Sequence, residues 1–186
     1  SQLVAEALEP KHLATALVTT HLPLSKVPRA VTSSGVARTA FWLAVLLRRL
    51  GRRRPRVVVA ALNPHAGEAG LLGREESLRI APGLARARAR LLREGVRAVL
   101  EGPVPAETAF RLAAAGRFDG VVAMYHDQAT IPMKLLDFGE AVNVSLGLPI
   151  VRTSVDHGTG YDRAARFDAD PRGMLAAMRL AARLVQ

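Results

Sequence analysis

The sequence contains no cysteine, which excludes a disulfide-stapled scaffold and any metal site built from thiolates. This absence fits a cytoplasmic protein, because disulfides are rare in that compartment. No apolar run is long enough to cross a bilayer, and no secretion signal is recognisable. Aromatic residues make up only 4% of the chain, too few for a surface that stacks on nucleic-acid bases. The Gly-x-Gly-x-x-Gly loop that binds dinucleotides is also missing.

Arginine is abundant, and the 26 basic residues outnumber the 16 acidic ones, for a net charge of +10. Many arginines lie on the surfaces of predicted amphipathic helices, such as residues 84–93, and the Ala- and Arg-rich composition is typical of a biased genome. We therefore expect neither a nucleic-acid nor a membrane partner. The positive field would still attract a phosphorylated or carboxylate substrate.

Strands and helices alternate in the first two thirds of the chain. Short, almost wholly apolar runs predict buried parallel strands at residues 16–20, 57–62 and 121–125. Segments with helical periodicity separate or flank them, and three of these end near a glycine: residues 36–50, 77–93 and 106–115. With 49% hydrophobic residues to form a core, this alternation indicates an α/β fold built from βαβ units.

The pattern changes near residue 142. Two further strands are predicted at residues 142–146 and 150–155, joined by a turn at Gly147-Leu-Pro149, and a final helix follows Pro171. A change of domain is expected within residues 131–140. We place the boundary between residues 1–135 and residues 136–186.

Three histidines follow, or nearly follow, an apolar strand: His21, His65 and His126. In an open parallel sheet, ligands bind beyond the carboxyl ends of the strands. Three imidazoles meeting there could bind a metal ion and leave coordination positions open for a substrate. A histidine at such a place can also be an ordinary loop residue, and spacing alone does not decide between the two readings. His12 lies in a poorly patterned stretch and is not counted as a ligand.

Several motifs, in order along most of the chain, make the sequence resemble the 4-hydroxythreonine-4-phosphate dehydrogenase family. They are Thr19-Thr-His-Leu-Pro-Leu24, Leu62-Asn-Pro-His-Ala-Gly-Glu68, Gly73-Arg-Glu-Glu76, Ala123-Met-Tyr-His-Asp-Gln128, Asn143-Val-Ser-Leu-Gly-Leu-Pro149 and Arg152-Thr-Ser-Val-Asp-His-Gly-Thr159. The resemblance implies an isocitrate/isopropylmalate dehydrogenase-like α/β/α fold with a largely parallel central sheet. It also implies a homodimer whose two subunits share the active site.

The resemblance implies a divalent metal, such as zinc, magnesium, cobalt or manganese, bound by His21, His65 and His126. The family oxidises and decarboxylates 4-hydroxythreonine 4-phosphate with NAD or NADP, and the metal acts as a Lewis acid. The residues matching its catalytic positions are Lys134, Asp127 and Glu107. Those matching its substrate contacts are Lys134, Asn143 and Arg152. The loop that approaches the nucleotide would contain His157, Gly158, Thr159 and Asp162.

The sequence departs from the family pattern in three respects. Glu107 stands where the family usually has aspartate, and the residues after Thr159 differ, which leaves the choice between NAD and NADP open. Family members also carry a substantial segment before the Thr-Thr-His motif. We therefore expect a fragment in which residues 1–135 bind metal and dimerise, while residues 136–186 pack on a missing domain. Alone, it should bind metal but turn over little or no substrate.

Three alternatives remain open from the sequence. The substrate could be a related acid, such as 4-phosphothreonate or 4-phosphoerythronate, because few contacts distinguish an amino from a hydroxyl group. The chain could be a metal-binding module without chemistry, although such a module would not require Lys134, Asn143 and Arg152. A basic RNA-associated α/β domain is the third, and the scarcity of aromatic residues weighs against it.

Overall fold

The computed structural model describes residues 2–5, 13–136, 141–156, 158, 161, 166 and 168–185. These residues form one seven-stranded sheet in the order β4-β3-β5-β2-β1-β6-β7. The strands are β1 (Gln2–Ala5), β2 (Ala14–Leu17), β3 (Arg56–Ala60), β4 (Val99–Val104), β5 (Gly120–Ala123), β6 (Val142–Ser145) and β7 (Arg152–Val155). The α/β fold expected from the sequence is confirmed.

Strands β4, β3, β5 and β2 are parallel, and they form one half of the sheet. In β3, Val57 and Val59 pack into one hydrophobic core, whereas Val58 and Ala60 pack into another on the opposite face. Side chains alternate between the two faces of a strand, so a strand covered on both sides must be apolar at every position. This burial explains the continuous apolar runs in the sequence.

The other half of the sheet is antiparallel, with β1 between β2 and β6 and with β7 at the edge. In β6, Val142 and Val144 are buried in the core, while Asn143 and Ser145 are only half-buried. Such alternation is typical of a strand that has one covered face and one polar face.

Helices cover both faces of the sheet. Three pack with the larger core: α2 (Ser33–Arg49), α3 (Ala81–Arg93) and α6 (Arg172–Leu184). Two pack with the smaller core: α4 (Ala106–Ala114) and α5 (His126–Leu136). A short helix α1 (Val27–Ala30) precedes α2, and a π-helical turn, Glu76–Ile80, leads into α3.

Three elements differ from the sequence-based expectation. Strand β1 was not predicted, and β4 was missed because Gly102 and Pro103 interrupt its apolar pattern. A proline is tolerated in β4 because this strand lies at the edge of the sheet. Helix α5 was not predicted either, and its first turn contains His126 and Asp127.

Within the described ranges, no single helix is long and apolar enough to span a membrane. The pair Leu24–Ala30 and Ser33–Arg49, bent by 87°, meets that test of length and composition only when the two are taken together.

The domain boundary expected after residue 135 stays a prediction. Strand β6 pairs with β1, and Val142 and Ala176 belong to the same core as Val57. Described residues on both sides of the boundary therefore contribute to one sheet and one core.

The crossing of α2 and α3 provides a test of the packing. A Cβ atom on Gly83 would lie 2.7 Å from the Ser33 carbonyl oxygen and 2.7 Å from Val36 Cβ. We expect Gly83→Ala to lower the free energy of unfolding by about 1–3 kcal/mol through overpacking, although alanine is the better helix former. Arg86→Ala on the exposed side of α3 should change it by less than about 0.5 kcal/mol. Denaturant unfolding measures both, and a Gly83→Ala variant as stable as the parent would contradict the packing.

Candidate functional site

The candidate site lies at the carboxyl ends of three neighbouring parallel strands, β2, β5 and β3. His21 follows β2, His126 follows β5, and His65 follows β3. Because β5 lies between the other two strands, its end is adjacent to both of theirs. Hydrogen bonds between these strand ends fix the starting points of the segments that carry the histidines.

Thr19 joins the ends of β2 and β5. Its hydroxyl donates to the Met124 carbonyl at 2.7 Å, and its backbone N–H donates to the same oxygen at 3.2 Å. Thr19 is buried, so the two bonds satisfy polar groups that water does not reach. His21 and His126 each lie two residues beyond one of these partners.

Gln128 joins the ends of β5 and β3. Its Oε1 accepts from the Met124 N–H at 2.7 Å, and its Nε2 donates to the Ala61 carbonyl at 2.8 Å. The side-chain amide therefore bridges two strand ends while remaining on the first turn of α5. Gln128 lies within one of the family motifs, but the sequence alone predicts no role for it.

His21 and His126 are brought together. Their ring centroids lie 5.2 Å apart, with the ring planes inclined by 42°. The Nδ1 atom of His126 lies 2.7 Å from Asp127 Oδ1. A carboxylate on Nδ1 holds the imidazole in the tautomer whose Nε2 lone pair is free, as in many histidines that bind metals. Asp127, an expected catalytic residue, thus contacts His126, an expected metal ligand.

His65 lies in an unusual backbone segment. Residues 65–69 all have positive φ angles, of 51°, 54°, 79°, 45° and 57°, so they form a left-handed turn within the short helix Pro64–Gly70. Only Gly67 among them adopts this conformation without steric strain, and each of the other four costs about 1–2 kcal/mol. Surrounding contacts must hold such a segment, and strain of this kind clusters at functional sites.

Glu76 supplies several of these contacts. Its carboxylate is buried, and Oε1 accepts from the backbone N–H groups of Leu62 at 2.9 Å and Asn63 at 2.8 Å. Asn63 Nδ2 donates both to Glu76 Oε2 at 3.0 Å and to Glu75 Oε2 at 2.8 Å. This last hydrogen bond is the main reason that the pKa of Glu75 is lowered. The sequence alone predicts no role for Asn63, Glu75 or Glu76.

Within the described part of the chain, no three His, Cys, Asp or Glu residues lie close enough to hold a metal ion. One subunit brings His21 and His126 together but does not add His65 to them. The three-histidine site therefore stays a prediction.

Glu107 is exposed at the start of α4, where it accepts a hydrogen bond from the Thr108 hydroxyl at 2.7 Å. This bond lowers the pKa of Glu107, and attraction to His65 makes a smaller contribution in the same direction. Glu107 is consequently ionised at neutral pH, which suits a proton acceptor better than a proton donor.

Asn143 and Arg152 lie on the same face of the antiparallel half-sheet. Ser145 pairs with Arg152 and Asn143 with Ser154, and Arg152 Nη1 donates to Ser145 Oγ at 3.1 Å. Among the described residues, no group donates a hydrogen bond to the buried Oδ1 of Asn143. The unpaired acceptor suits a ligand group that donates a hydrogen bond, and the exposed guanidinium on the same face suits an anionic group.

The other expected site residues are Lys134 and the residues of the predicted nucleotide loop. Lys134 is exposed in the last turn of α5. Gly158 is also exposed, whereas His157, Thr159 and Asp162 lie outside the described residues. The roles assigned to these residues stay predictions.

The family model described as "Pyridoxal phosphate biosynthetic protein PdxA" matches residues 2–181. The chain belongs to this family. The resemblance found from the sequence motifs is thereby confirmed.

Two relatives that the chain resembles are named 4-hydroxythreonine-4-phosphate dehydrogenase. The 4-hydroxythreonine-4-phosphate dehydrogenase of Caulobacter vibrioides is 52% identical over 169 residues, covering 90% of this chain and 49% of that protein. The crystal structure of 4-hydroxythreonine-4-phosphate dehydrogenase from Klebsiella pneumoniae matches with a TM-score of 0.82 and 38% identity, covering 100% of this chain and 54% of that one. The chain spans about half the length of the curated relatives it matches.

A second similar crystal structure is named for a different activity. It is a terephthalate 1,2-cis-dihydrodiol dehydrogenase from Burkholderia xenovorans LB400, with a TM-score of 0.71 and 30% identity, covering 98% of this chain and 55% of that one. Similarity at this level therefore includes dehydrogenases that act on different substrates.

Gly67, in the left-handed segment of this PdxA-family chain, and Gly95, just after α3, provide a matched pair of variants. A Cβ on Gly67 would lie 2.7 Å from Glu76 Oε2 and 2.9 Å from the Gly73 carbonyl oxygen, whereas a Cβ on Gly95 would meet nothing within 4 Å. Both glycines have positive φ, of 79° and 67°. Gly95→Ala should cost only the backbone strain, about 1–2 kcal/mol. Gly67→Ala should cost at least about 1 kcal/mol more in denaturant unfolding, because it adds a steric clash. Equal costs would contradict the described packing of the segment.

Proposed function

We propose that the chain is part of a divalent-metal- and NAD(P)-dependent dehydrogenase that oxidises and decarboxylates 4-hydroxythreonine 4-phosphate to 3-amino-2-oxopropyl phosphate. The observation that carries the proposal is the pairing of His21 and His126 beyond adjacent strand ends, in a chain of the PdxA family. The names of the curated relatives support the same activity.

The donor set fits a divalent cation. Two imidazoles lie side by side, and the carboxylate of Asp127 engages Nδ1 of one, which leaves Nε2 available for coordination. We assign His65 as the third ligand, contributed by the partner subunit of a homodimer that shares its active site. A bound divalent cation would polarise the hydroxyl and carboxylate oxygens of the substrate.

Each remaining site residue has a task that its chemistry allows. Arg152 presents a planar guanidinium that can bind a phosphate or carboxylate through two parallel hydrogen bonds. The orphan Oδ1 of Asn143 can accept a hydrogen bond from a hydroxyl or amino group of the substrate. Lys134 supplies a positive charge for negative charge that develops during the reaction. The ionised Glu107 is suited to accept a proton.

The cofactor part of the proposal rests on the sequence motif. We assign NAD or NADP as the hydride acceptor and His157, Gly158, Thr159 and Asp162 as its contacts. Glycine permits a close approach of the backbone to a ligand. We further propose that residues 1–135 form the metal-binding and dimerisation part. Residues 136–186 would pack on a domain equivalent to the part of the relatives that this chain does not match.

Metal binding tests the three-histidine assignment. We expect His21→Ala, His65→Ala and His126→Ala each to weaken zinc or cobalt binding by more than about 100-fold, because removal of a ligand should exceed the 10- to 100-fold loss typical of its outer partners. Calorimetric titration of the 186-residue chain measures the affinity. His12→Ala is the control and should leave the affinity unchanged. Unchanged binding in the His65→Ala variant would remove this residue from the proposed ligand set.

Substrate binding tests the role of the polar face. We expect Arg152→Ala to weaken the binding of 4-hydroxythreonine 4-phosphate to the metal-loaded chain by about 10- to 100-fold, since a charge-assisted hydrogen bond contributes about 1.5–3 kcal/mol. Arg179→Ala on α6 removes the same charge elsewhere and is the control. Tighter binding of 4-phosphothreonate or 4-phosphoerythronate would favour the related substrates. If none of these acids bound, the proposal would give way to a metal-binding module without chemistry.

A further inference from the structure

Glu76 is a buried acidic residue to which the proposed reaction assigns no task. Its relative exposure is 6%, and it begins the π-helical turn Glu76–Ile80 that precedes α3. In the described part of the chain, all of its hydrogen-bond donors are uncharged amides, from Leu62 and Asn63. A buried carboxylate held only by neutral donors forms no salt bridge, and its hydrogen bonds fix the positions of the groups that donate to it.

The contacts of Glu76 lie on both sides of His65. Before His65, the carboxylate binds the backbone N–H groups of Leu62 and Asn63. After His65, Gly67 packs so closely that a Cβ there would lie 2.7 Å from Glu76 Oε2. The carbonyl of Gly67 in turn accepts from the Leu72 N–H at 3.1 Å and closes the left-handed turn.

These contacts limit where the imidazole of His65 can lie. The φ angle of His65 is 51°, in the left-handed region that non-glycine residues rarely adopt. Without an outside constraint, the segment would relax toward ordinary φ values, and the Cα–Cβ bond of His65 would change direction. Glu76 binds the backbone before His65 and lies against Gly67 after it.

We infer that Glu76 is a positioning residue, which fixes the strained backbone that presents His65 to a divalent cation. The inference rests on the proposed function, because it takes His65 as a metal ligand. We do not assign Glu76 as a ligand, because its carboxylate is buried and both of its oxygens accept from amide donors.

A double-mutant cycle on the 186-residue chain tests the inference. Zinc or cobalt affinity is measured for the parent, Glu76→Gln, His65→Ala and the double variant. The glutamine is similar in shape, but it turns a donor toward Asn63 Nδ2 or toward the backbone N–H groups. We expect Glu76→Gln to weaken metal binding by about 10- to 100-fold, as for other residues that orient a ligand. In the His65→Ala background, the same change should alter the affinity by less than about twofold.

Two controls accompany the cycle. Glu94→Gln removes a solvent-exposed carboxylate that pairs with Arg90 and should leave metal affinity unchanged. Gly67→Ala disturbs the left-handed segment after His65, and it should also change metal affinity only through His65. If Glu76→Gln fails to fold, the Gly67→Ala cycle replaces it, and additivity in that cycle would overturn the inference.

Amide hydrogen exchange of the metal-free chain separates the inference from the proposed function. Glu76→Gln should accelerate exchange at Leu62, Asn63 and Leu72 but not in α4. Unchanged exchange at these amides would overturn the inference whatever the metal data show. An equal loss of affinity in the parent and His65→Ala backgrounds would overturn it as well. By contrast, faster exchange together with no effect of His65→Ala on metal binding would contradict the three-histidine site alone.

Discussion

The candidate site depends on hydrogen bonds that join the ends of three parallel strands. A strand that leaves a buried sheet exposes backbone groups which its neighbours no longer satisfy, and unpaired groups there cost free energy. Thr19 and Gln128 satisfy them across the strands, by bonds to Met124 and Ala61. Because these bonds join neighbouring strands, they fix the relative positions of three segments that are far apart in the sequence. Each of those segments then carries a histidine.

The three histidines are held by different means. His126 stands on the first turn of a helix, where Asp127 orients its ring, and His21 lies beside it. His65 lies instead on a strained left-handed turn, and the buried carboxylate of Glu76 binds Asn63 just before this turn and lies against Gly67 within it. A regular helix positions a side chain through its own hydrogen bonds, whereas a strained turn requires support from elsewhere in the fold. The site therefore extends well beyond the residues that would touch a metal ion.

The two halves of the sheet also serve different purposes. The parallel half is covered on both faces and provides rigid strand ends. The antiparallel half has a polar face, on which Asn143 and Arg152 lie near Ser145 and Ser154. In the proposed function, the first half supplies the metal ligands and the second half supplies the contacts to an anionic substrate. The relatives are about twice as long as this chain, so the complete activity has to be tested on a protein of that length.

The sequence by itself determined the fold class, the three parallel apolar strands and the family, because burial on both faces leaves a continuous apolar run and the motifs are specific. It did not reveal β1, β4 or the helix at His126, whose apolar patterns are short or interrupted. Nor did it give roles to Gln128 and Glu76. One partner of Gln128, Ala61, lies 67 residues away, and the partners of Glu76 lie 13–14 residues away. Only the tertiary structure brings such groups within hydrogen-bonding distance, since no local periodicity records which distant backbone atoms a buried polar side chain must satisfy.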